Sequence, residues 1–477
     1  MIAAILLYPL IAAPLCFFLE SKTANRLALV LYAVIFAAGS IVLSIHPVTF
    51  TAYFGMDPLN TLFLSIMAFL FLAVSVYNIV YFNHSEFTIK EQTEYTVYFL
   101  FFIGAMAGVI FSTHLALLWV FVEATTLFSA PLIYAERSRS SLEAAWKYIF
   151  ICSIGISLAF VGIILLSIGT GHLDSLFFAD LYRNAGKINP FWLKLAFPFI
   201  LVGLGTKMGL APVHAWLPDA HSEAPSPVSA MLSGALLNTA LLGILRVSGL
   251  MTLAHLEYYS GTLLMVMGLL SLLISAIFIL RTNNYKRMLA YSSIENMGII
   301  SIGAATGGIG TYAAMLHMVA HSFTKGAFFL TAGNIVHRFK TKEIEKTRGI
   351  LQADGINGWL WLACFVAISG IPPFPSFISE FLLIKGFFEK KYILPAILFF
   401  LLLTIILYGM GKAVFHMSFG PKREPVSGDQ SPALTYLPPV IILLLLLFLG
   451  FYMPDYLGSM LQKAADALNM VSYRRLP

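Results

Sequence analysis

The sequence predicts an all-α polytopic membrane protein. Of its 477 residues, 59% are hydrophobic and only 11% are charged, whereas soluble domains are about one quarter charged. Apolar stretches recur along the whole chain, separated by short clusters of glycine, proline and charged residues. Because a helix needs about 20 apolar residues to cross a bilayer, the sequence predicts about fourteen transmembrane helices.

The predicted helices follow one another with short connections. The first starts at the second residue without a preceding basic stretch, which indicates a retained helix and not a cleaved signal peptide. The predicted spans cover residues 2–19, 25–45, 58–82, 95–112, 114–134, 142–169, 191–223, 226–249, 258–281, 286–305, 308–337, 356–388, 391–417 and 434–453.

The seventh and twelfth spans contain helix-breaking sequences. The seventh holds Gly209 and Pro212 and continues into HAWLPDAH at 214–221, and the twelfth holds SGIPPFPSF at 369–377. Proline removes a backbone donor and clashes with the preceding turn. We therefore expect both helices to break within the membrane, where irregular backbone must be buried or line a wet cavity. The alternative is a pair of ordinary proline kinks.

The two interruptions lie five helices apart, which predicts an internal repeat. A repeat with an odd number of spans is inverted in its second copy, and matching interruptions in two halves indicate a transport site. The sequence thus divides into helices one to three at 1–90, a first five-helix repeat at 91–250, an inverted second repeat at 251–420, and helix fourteen with a short tail at 421–477.

Lysine and arginine in the short loops predict the orientation, because cytoplasmic loops carry the excess of both. The poorer set of loops holds Arg183, Lys187, Lys390 and Lys391, with a few terminal residues. The richer set should be cytoplasmic, which puts both termini on the outer face. It holds Lys22, Arg26, Lys90, Arg137, Arg139, Arg281, Lys286, Arg287, Arg338, Lys340, Lys342, Lys346, Arg348, Lys422 and Arg423. The net charge of +6 fits such loops and gives little support for nucleic-acid binding.

Several ionisable residues lie in apolar spans, where each costs roughly 2.5–3.5 kcal/mol, which indicates that the protein moves charge, most simply protons. Glu123 lies in LLWVFVEATTLF, and Lys207 lies in GLGTKMGLAP at the first break. Burial favours the neutral amine, and a nearby carboxylate favours the ammonium. A mobile Glu123–Lys207 pair is therefore a proton switch. The alternative is a static buried ion pair that fixes helix packing.

Three further residues recur on one helix face. His317, His321 and Lys325, in LHMVAHSFTKGAFF, are spaced four residues apart, which places them on one side of a helix. Imidazole titrates near neutral pH and can both donate and accept, so the row predicts a proton relay. A metal site is disfavoured because no carboxylate or cysteine shares this face. A structural histidine is the alternative for either ring alone.

Glu380 follows the second break and predicts a proton donor or acceptor at one end of the path. Lys385 lies nearby, and it can equally snorkel to the membrane surface. Lys147 is a secondary candidate with a simpler interpretation, an i,i+4 pair with Glu143.

A polar cluster follows the first break, and prolines interrupt the helical register that a zinc site of the HExxH type needs. We interpret the cluster as a proton-conducting or interfacial turn, and the later YKRML stretch as a basic helix start that anchors the cytoplasmic face. The cluster comprises His214, Asp219, His221 and Glu223.

The cysteines Cys16, Cys152 and Cys364 lie far apart without CxxC spacing. The sequence therefore predicts no iron–sulfur cluster, nickel site or disulfide framework on this chain. If redox chemistry is involved, it takes place on another chain.

Three long motifs occur in order: GTKMGLAPVHAWLPDAHSEAPSPVSAMLSGALL, YKRMLAYSSIENMG and HMVAHSFTKGAFFLTAGN. With them, residues 50–420 resemble the antiporter-like subunits of respiratory complex I and its relatives. The resemblance implies fourteen helices, two inverted repeats with one broken helix each, and a central hydrated row that conducts protons. The resemblance implies that Glu123 and Lys207 form the glutamate–lysine pair. It implies that the central relay consists of His317, His321 and Lys325, and that Glu380 is the residue of the second broken helix.

The sequence departs from the complex I pattern in GALLNTALLG, where Asn238 stands in place of a lysine. Asparagine can orient water but cannot hold a proton, so the connection between Lys207 and the histidine row must run through water or another group. This asparagine is similar to that in the antiporter-like subunits of energy-converting membrane-bound nickel–iron hydrogenases and formate hydrogenlyase-like complexes.

Together these features predict a proton- or Na⁺-translocating subunit of a redox-driven, group 4 hydrogenase-type complex in a prokaryotic inner (cytoplasmic) membrane. Such a chain carries no redox cofactor, because the nickel–iron and iron–sulfur centres or the quinone lie on partner subunits. The alternatives are a complex I antiporter-like subunit, a subunit of a multisubunit cation/proton antiporter without a redox partner, and an energy-coupled inorganic-carbon uptake module.

Overall fold

The computed structural model describes residues 1–84, 87–171, 175–420 and 431–469, and these ranges form helices without a β-strand. The first nine helices run from the N-terminus through the first break. They are α1 Ile2–Leu19, α2 Lys22–Ile45, α3 Pro58–His84, α4 Ile89–Phe111, α5 Leu115–Ile133, α6 Arg139–Thr170, α7 Phe178–Arg183, α8 Pro190–Met208 and α9 Trp216–Glu223.

The remaining helices include the second break and end in a short helix near the C-terminus. They are α10 Ser226–Met231, α11 Leu237–Leu253, α12 Glu257–Ile279, α13 Tyr285–Thr306, α14 Ile309–Phe339, α15 Ile350–Ala353, α16 Gly355–Ile368, α17 Pro375–Lys390, α18 Ile393–Phe419, α19 Ala433–Phe451 and α20 Asp455–Leu468. A π-helical turn, Leu232–Leu236, joins α10 to α11 and makes them one continuous span.

Eleven helices of the described ranges are long and apolar enough to cross a membrane. They correspond to all the predicted spans except the tenth, eleventh and twelfth, which are α13, α14 and the pair α16–α17. Most side chains of α13 and α14 are buried inside the protein, so these helices contact other helices more than lipid and can be more polar. The all-helical membrane fold is confirmed, and the count of fourteen spans stays a prediction.

Both predicted interruptions are true breaks and not kinks. The first lies between α8 and α9, where Gly209 has a φ of 80° and residues 209–215 are not helical. The second lies between α16 and α17, where Gly370 has a φ of 62°. A positive φ is easily adopted only by glycine, so these two residues let each helix end within the bundle.

Local capping determines where α8 begins. Asn189 precedes α8, and its side-chain oxygen accepts a hydrogen bond from the Phe191 amide at 2.9 Å, while Pro190 occupies the first helical position. Both features are helix start signals. They set the start of the helix that carries Lys207 at its end.

The C-terminal region contains a helix where the sequence predicted only a short tail. In α20 the side chains of Met460, Leu461 and Ala464 are buried, against α3 and α14. At 14 residues, α20 is too short to cross a bilayer, so a search for spans overlooks it. The predicted cationic residues Lys422 and Arg423 lie outside the described residues.

The loops after α5, α12 and α14 gather on one face of the protein, here named the cationic face. The Lys342 ammonium pairs with the Glu223 carboxylate at 3.2 Å, and the Tyr285 amide donates to the Lys342 carbonyl at 3.0 Å. The Arg137 guanidinium pairs with Glu94 at 2.6 Å. These three loops, which carry part of the richer set of predicted cationic residues, are therefore assembled on one side, and the orientation of this face in the cell stays a prediction.

The helix α19 packs against the second break through Gly450, because a Cβ atom at this position would collide with the Pro373 carbonyl oxygen. We expect Gly450→Ala to lower the free energy of unfolding by about 1–3 kcal/mol, since α19 must move away from the break. Denaturant unfolding of the purified protein in detergent measures this. Gly355→Ala is the matched control, because a Cβ atom there meets no atom within 4 Å. Equal stability of Gly450→Ala and wild type would contradict the packing argument.

Candidate functional site

Lys207 is fully buried at the end of α8, beside the first break. Its ammonium donates to the Thr126 hydroxyl of α5 at 2.8 Å and to the Tyr148 hydroxyl of α6. The ammonium also lies 4.5 Å from the centre of the Tyr148 ring. Neutral hydroxyls and an aromatic face therefore hold this charge, in a region that three helices enclose.

Glu123 lies on α5, three residues before Thr126, so the two side chains share one helix face about 5–6 Å apart at their Cβ atoms. One carboxylate oxygen accepts a hydrogen bond from the Ser153 hydroxyl at 3.0 Å. The other oxygen is buried without a hydrogen-bond partner among the described residues. Among the described residues no direct ion pair joins Glu123 to Lys207, and the Lys207 ammonium instead contacts the hydroxyl of Thr126, three residues along the same helix as Glu123.

The three residues of the predicted relay lie on α14 and are all buried. The Lys325 ammonium donates to the Leu289 carbonyl of α13 at 2.8 Å. One ring nitrogen of His317 bonds to the Asn296 side-chain oxygen of α13 at 2.9 Å. The row therefore faces α13 and has polar partners at both ends, with His321 between them.

The other ring nitrogen of His317 bonds to the Ser379 hydroxyl of α17 at 2.9 Å. Ser379 directly precedes Glu380, so this bond joins the relay to the helix that follows the second break. A Cβ atom at Gly370 would collide with the Glu380 carboxylate, which shows that the carboxylate packs against the backbone of the break. The structure thus connects His317 to α17 at the residue before Glu380.

Glu295 and Glu380 line the same cavity, of about 240 Å³, between α17 and α18. Glu295 is only 6% exposed and lies on α13, one residue before Asn296. Sequence analysis quoted its motif but did not select it as a site residue. The criterion that selected Glu123, a carboxylate in an apolar helix, would have found it.

Asn238 lies at the start of α11, just after the π-helical turn. Its amide donates to the Gly234 carbonyl at 2.9 Å and to the Ser322 hydroxyl of α14 at 2.8 Å. Ser322 adjoins His321, so Asn238 contacts the relay helix next to the relay. No hydrogen bond among the described residues joins Lys207 to Asn238 or to α14.

Asn238→Lys is expected to be tolerated, because an ammonium can replace the amide as donor to the Ser322 hydroxyl and the Gly234 carbonyl. The variant should assemble and retain ion transport, measured by native electrophoresis and by proton uptake in membrane vesicles. Complete loss of assembly would count against the alignment of Asn238 with the lysine of complex I-type chains.

Lys147 and Lys385 lie away from the row. The half-exposed Lys147 ammonium pairs with Glu143 at 2.6 Å and with Asp219 at 3.2 Å, so its simpler interpretation is favoured. Lys385 is exposed and lies 3.9 Å from the Glu389 carboxylate, which is the expected geometry of a snorkelling side chain. Both face the surface because they lie on the outer sides of α6 and α17.

The two histidines of the polar cluster have different surroundings. His214 is half-buried in the non-helical segment of the first break. His221 is fully buried on α9, and its ring stacks on Phe329 of α14 with centroids 5.0 Å apart. Neither ring nitrogen of His221 has a hydrogen-bond partner within the described ranges. His221 is therefore the member of the cluster that lies close to the relay helix.

The YKRML stretch begins α13, as the sequence predicted, but its lysine, Lys286, does not lie at the surface. The side chain is only 2% exposed, and its ammonium donates to the Ala224 carbonyl at 2.6 Å. The adjacent Arg287 does reach Asp219 near the surface. A YKR sequence places two charges on different sides of one helix, so the sequence alone does not indicate which of them is buried. Tyr148, which holds the Lys207 ammonium, was missed because tyrosine is common in apolar helices.

Two cavities approach the row from opposite faces. The cavity on the cationic face has a volume of about 840 Å³ and is lined by Ser226, Lys286 and Gly333 among others. The cavity on the opposite face has a volume of about 660 Å³ and is lined by Ser248 and Thr306 among others. They lie at opposite ends of α13 and α14.

Metal binding gains no support from the geometry. The described ranges contain no group of three or more histidine, cysteine or acidic residues that could hold a metal ion. The nitrogens of His317 are already bonded to Asn296 and Ser379.

The fold and this arrangement define a polytopic membrane protein with a buried row of ionisable side chains across two broken-helix units. Residues 112–406 match the family model described as NADH:quinone oxidoreductase/Mrp antiporter, transmembrane, and the chain belongs to this family. The expected resemblance is thereby confirmed.

The chain is similar to curated relatives of different lengths. It is 34% identical to the hydrogenase-4 component F homolog of Methylacidiphilum infernorum (isolate V4), over 95% of this chain and 96% of that protein. It is 32% identical to hydrogenase-4 component B of Escherichia coli (strain K12), over 68% of this chain and 49% of that protein. It is 27% identical to the Na⁺/H⁺ antiporter subunit A1 of Staphylococcus epidermidis, over 84% of this chain and 52% of that protein. The chain thus spans about half the length of the last two.

Solved structures support the fold. A chain of the archaeal membrane-bound sulfane sulfur reductase superposes with a TM-score of 0.87 at 23% identity, over 99% of this chain and 98% of that chain. A chain of respiratory complex I from Thermus thermophilus superposes with a TM-score of 0.79 at 24% identity, over 94% of this chain and 97% of that chain.

Proposed function

We propose that this chain is a proton-translocating membrane subunit of a redox-driven multisubunit complex of the energy-converting, membrane-bound hydrogenase type. The observation that carries the proposal is the buried row that runs from Glu123 and Lys207 through α14 to Glu380. The similarity to the hydrogenase-4 component F homolog over nearly the full length of both chains supports the type of complex. Partner subunits supply the nickel–iron and iron–sulfur centres or the quinone, and this chain supplies the ion path.

The geometry of Lys207 supports a switch. Its ammonium rests on the neutral hydroxyls of Thr126 and Tyr148, one helical turn from the Glu123 carboxylate. At about 4 Å from that carboxylate the attraction totals roughly 4 kcal/mol at an effective dielectric of about 20, and part of it is already present at a separation of one helical turn. Moving one proton against about 100 mV costs about 2.3 kcal/mol. The two energies are of the same order, so a displacement of Lys207 toward or away from Glu123, driven by charge changes in partner subunits, contributes to holding or releasing a proton.

The second half of the path has groups that can pass the proton onward. Lys325, His321 and His317 succeed one another on α14, and the hydrogen bond from His317 to Ser379 leads to Glu380. Asn238 orients water between the two halves. Each half of the path belongs to one of the inverted repeats proposed at 91–250 and 251–420. In the proposed orientation both termini lie on the outer side of a prokaryotic cell membrane, and the cationic face is exposed to the cytoplasm.

The translocated ion is H⁺ in this proposal, because the path is built from nitrogen bases. A lysine ammonium has three donors and no acceptor, so it cannot ligate Na⁺. An imidazole can accept and donate a proton near neutral pH. The alternation of amines, imidazoles and carboxylates therefore suits proton transfer better than passage of a metal cation.

A second candidate function is that of a subunit of a cation/proton antiporter without a redox partner. The 27% identity to the Na⁺/H⁺ antiporter subunit A1 favours it.

Purification of the intact assembly through a tag on this chain tests the proposal. We expect iron and nickel to copurify with it, and H₂ evolution by reconstituted vesicles to be coupled to proton uptake. A complex of small hydrophobic subunits without metal, which exchanges cations for protons, would replace the proposal with the antiporter.

A further inference from the structure

The cavity on the cationic face ends at a buried lysine. We propose that Lys286 is the residue through which this cavity exchanges protons with His221 and the central row. This inference rests on the proposed proton translocation and assigns its access point on the cationic face.

One face of α14 connects the cavity to the row. Lys325, Phe329 and Gly333 are four residues apart, so they lie one above the other, about 5–6 Å from turn to turn. Gly333 lines the cavity, and the His221 ring stacks on Phe329 with an interplanar angle of 17°. His221 therefore lies between the cavity and Lys325, about one helical turn from each.

Lys286 lies where α9, the helix of His221, meets the cavity. Its ammonium donates to the Ala224 carbonyl, three residues after His221. The carbonyl of His221 accepts a hydrogen bond from the Ser229 hydroxyl at 3.1 Å. Lys286 lines the cavity although only 2% of its surface is exposed. Its side chain therefore belongs to the buried part of the cavity wall.

The surrounding charges suit proton exchange at this position. Glu136, Glu223 and Lys342 interact electrostatically with Lys286, and Glu136 lines the same cavity. The two carboxylates attract protons toward the cavity, and Glu223 also pairs with Lys342 at 3.2 Å. A lysine beside carboxylates can regain from outside a proton that it has given to the interior.

The transfer balances without any further reactant. The Lys286 ammonium gives one proton, through intervening water, to a ring nitrogen of His221, which becomes an imidazolium, and Lys286 becomes a neutral amine. A proton from the solution on the cationic face, carried by water in the cavity, then reprotonates the amine. Once the Lys325 ammonium has given its own proton to the row, the imidazolium passes its proton to the Lys325 amine and returns to its neutral form. Two unpartnered ring nitrogens on His221 in the described structure are consistent with these two roles.

The test separates proton exchange from a structural role of Lys286. Arginine keeps the charge and the donors to the Ala224 carbonyl, but it stays protonated at neutral pH. We expect Lys286→Arg to assemble normally. In the intact complex reconstituted into vesicles, the number of protons that this variant pumps per electron transferred should fall by about tenfold or more. Normal pumping by Lys286→Arg would overturn the inference and leave Lys286 as a helix-capping charge.

The matched control is Lys340→Arg, since Lys340 lines the same cavity but is exposed at its rim. We expect this variant to pump normally, and an equal loss in both variants would overturn the specific role of Lys286. His221→Gln tests the next position, because glutamine forms hydrogen bonds but does not titrate. It should show the same loss as Lys286→Arg, and normal pumping would overturn the route. If Lys207→Ala stops pumping while Lys286→Arg does not, only this inference fails and the proposed function stands.

Discussion

Lys207→Ala is expected to stop proton pumping while the complex stays assembled and its redox reaction continues. Among the described residues the ammonium is the charged group that contacts the hydroxyls of Thr126 and Tyr148, and alanine leaves nothing at this position that can hold a proton. We expect the number of protons taken up per electron to fall by about tenfold or more. A pH-sensitive dye in sealed membrane vesicles, with the redox turnover recorded in parallel, measures the ratio.

Lys194→Ala is the matched control, because Lys194 lies on the same helix but is exposed. It should pump as well as wild type. Normal pumping by Lys207→Ala would remove Lys207 from the path and with it the switch with Glu123. Native electrophoresis of both variants checks that the assembly is intact.

Glu380→Gln should produce the second large effect. The substitution keeps the size and hydrogen-bonding capacity of the side chain but removes its proton exchange. The carboxylate packs against Gly370 and shares a cavity with Glu295, so glutamine should fit without moving the break. We expect pumping to fall by about tenfold or more, with thermal stability close to that of wild type, measured by the same vesicle assay and by unfolding in detergent.

Glu389→Gln controls for this change on the same helix, because Glu389 is exposed and only lies beside Lys385. We expect it to leave pumping unchanged. If Glu380→Gln pumps normally, the path does not end at Glu380, and Glu295, which lines the same cavity, becomes the candidate for that position.

The sequence predicted the breaks because their cause is local. Proline and glycine act through the backbone of their own turn, so the ends of α8 and α16 can be placed without knowing what surrounds them. The spacing of His317, His321 and Lys325 is equally local, because four residues make about one turn of any helix. These predictions needed no tertiary information.

Predictions that depended on distance between helices were less complete. The sequence suggested a direct Glu123–Lys207 contact, but the structure places hydroxyls of α5 and α6 around the ammonium. Lys286 was interpreted as a surface anchor and is buried, since burial depends on which side of α13 faces α9. Glu295 was overlooked, and only the packing of α13 against α17 brings it into one cavity with Glu380.

The sequence by itself determined that the protein is a helical membrane protein, where its two helices break and which helix face holds the relay. These properties follow from hydropathy, backbone chemistry and helical periodicity, which act within one segment. The tertiary structure alone decided which hydroxyl or carbonyl each buried charge contacts, and which charges meet a cavity. The reason is that such partners come from segments far apart in the chain, and their distances depend on how whole helices pack.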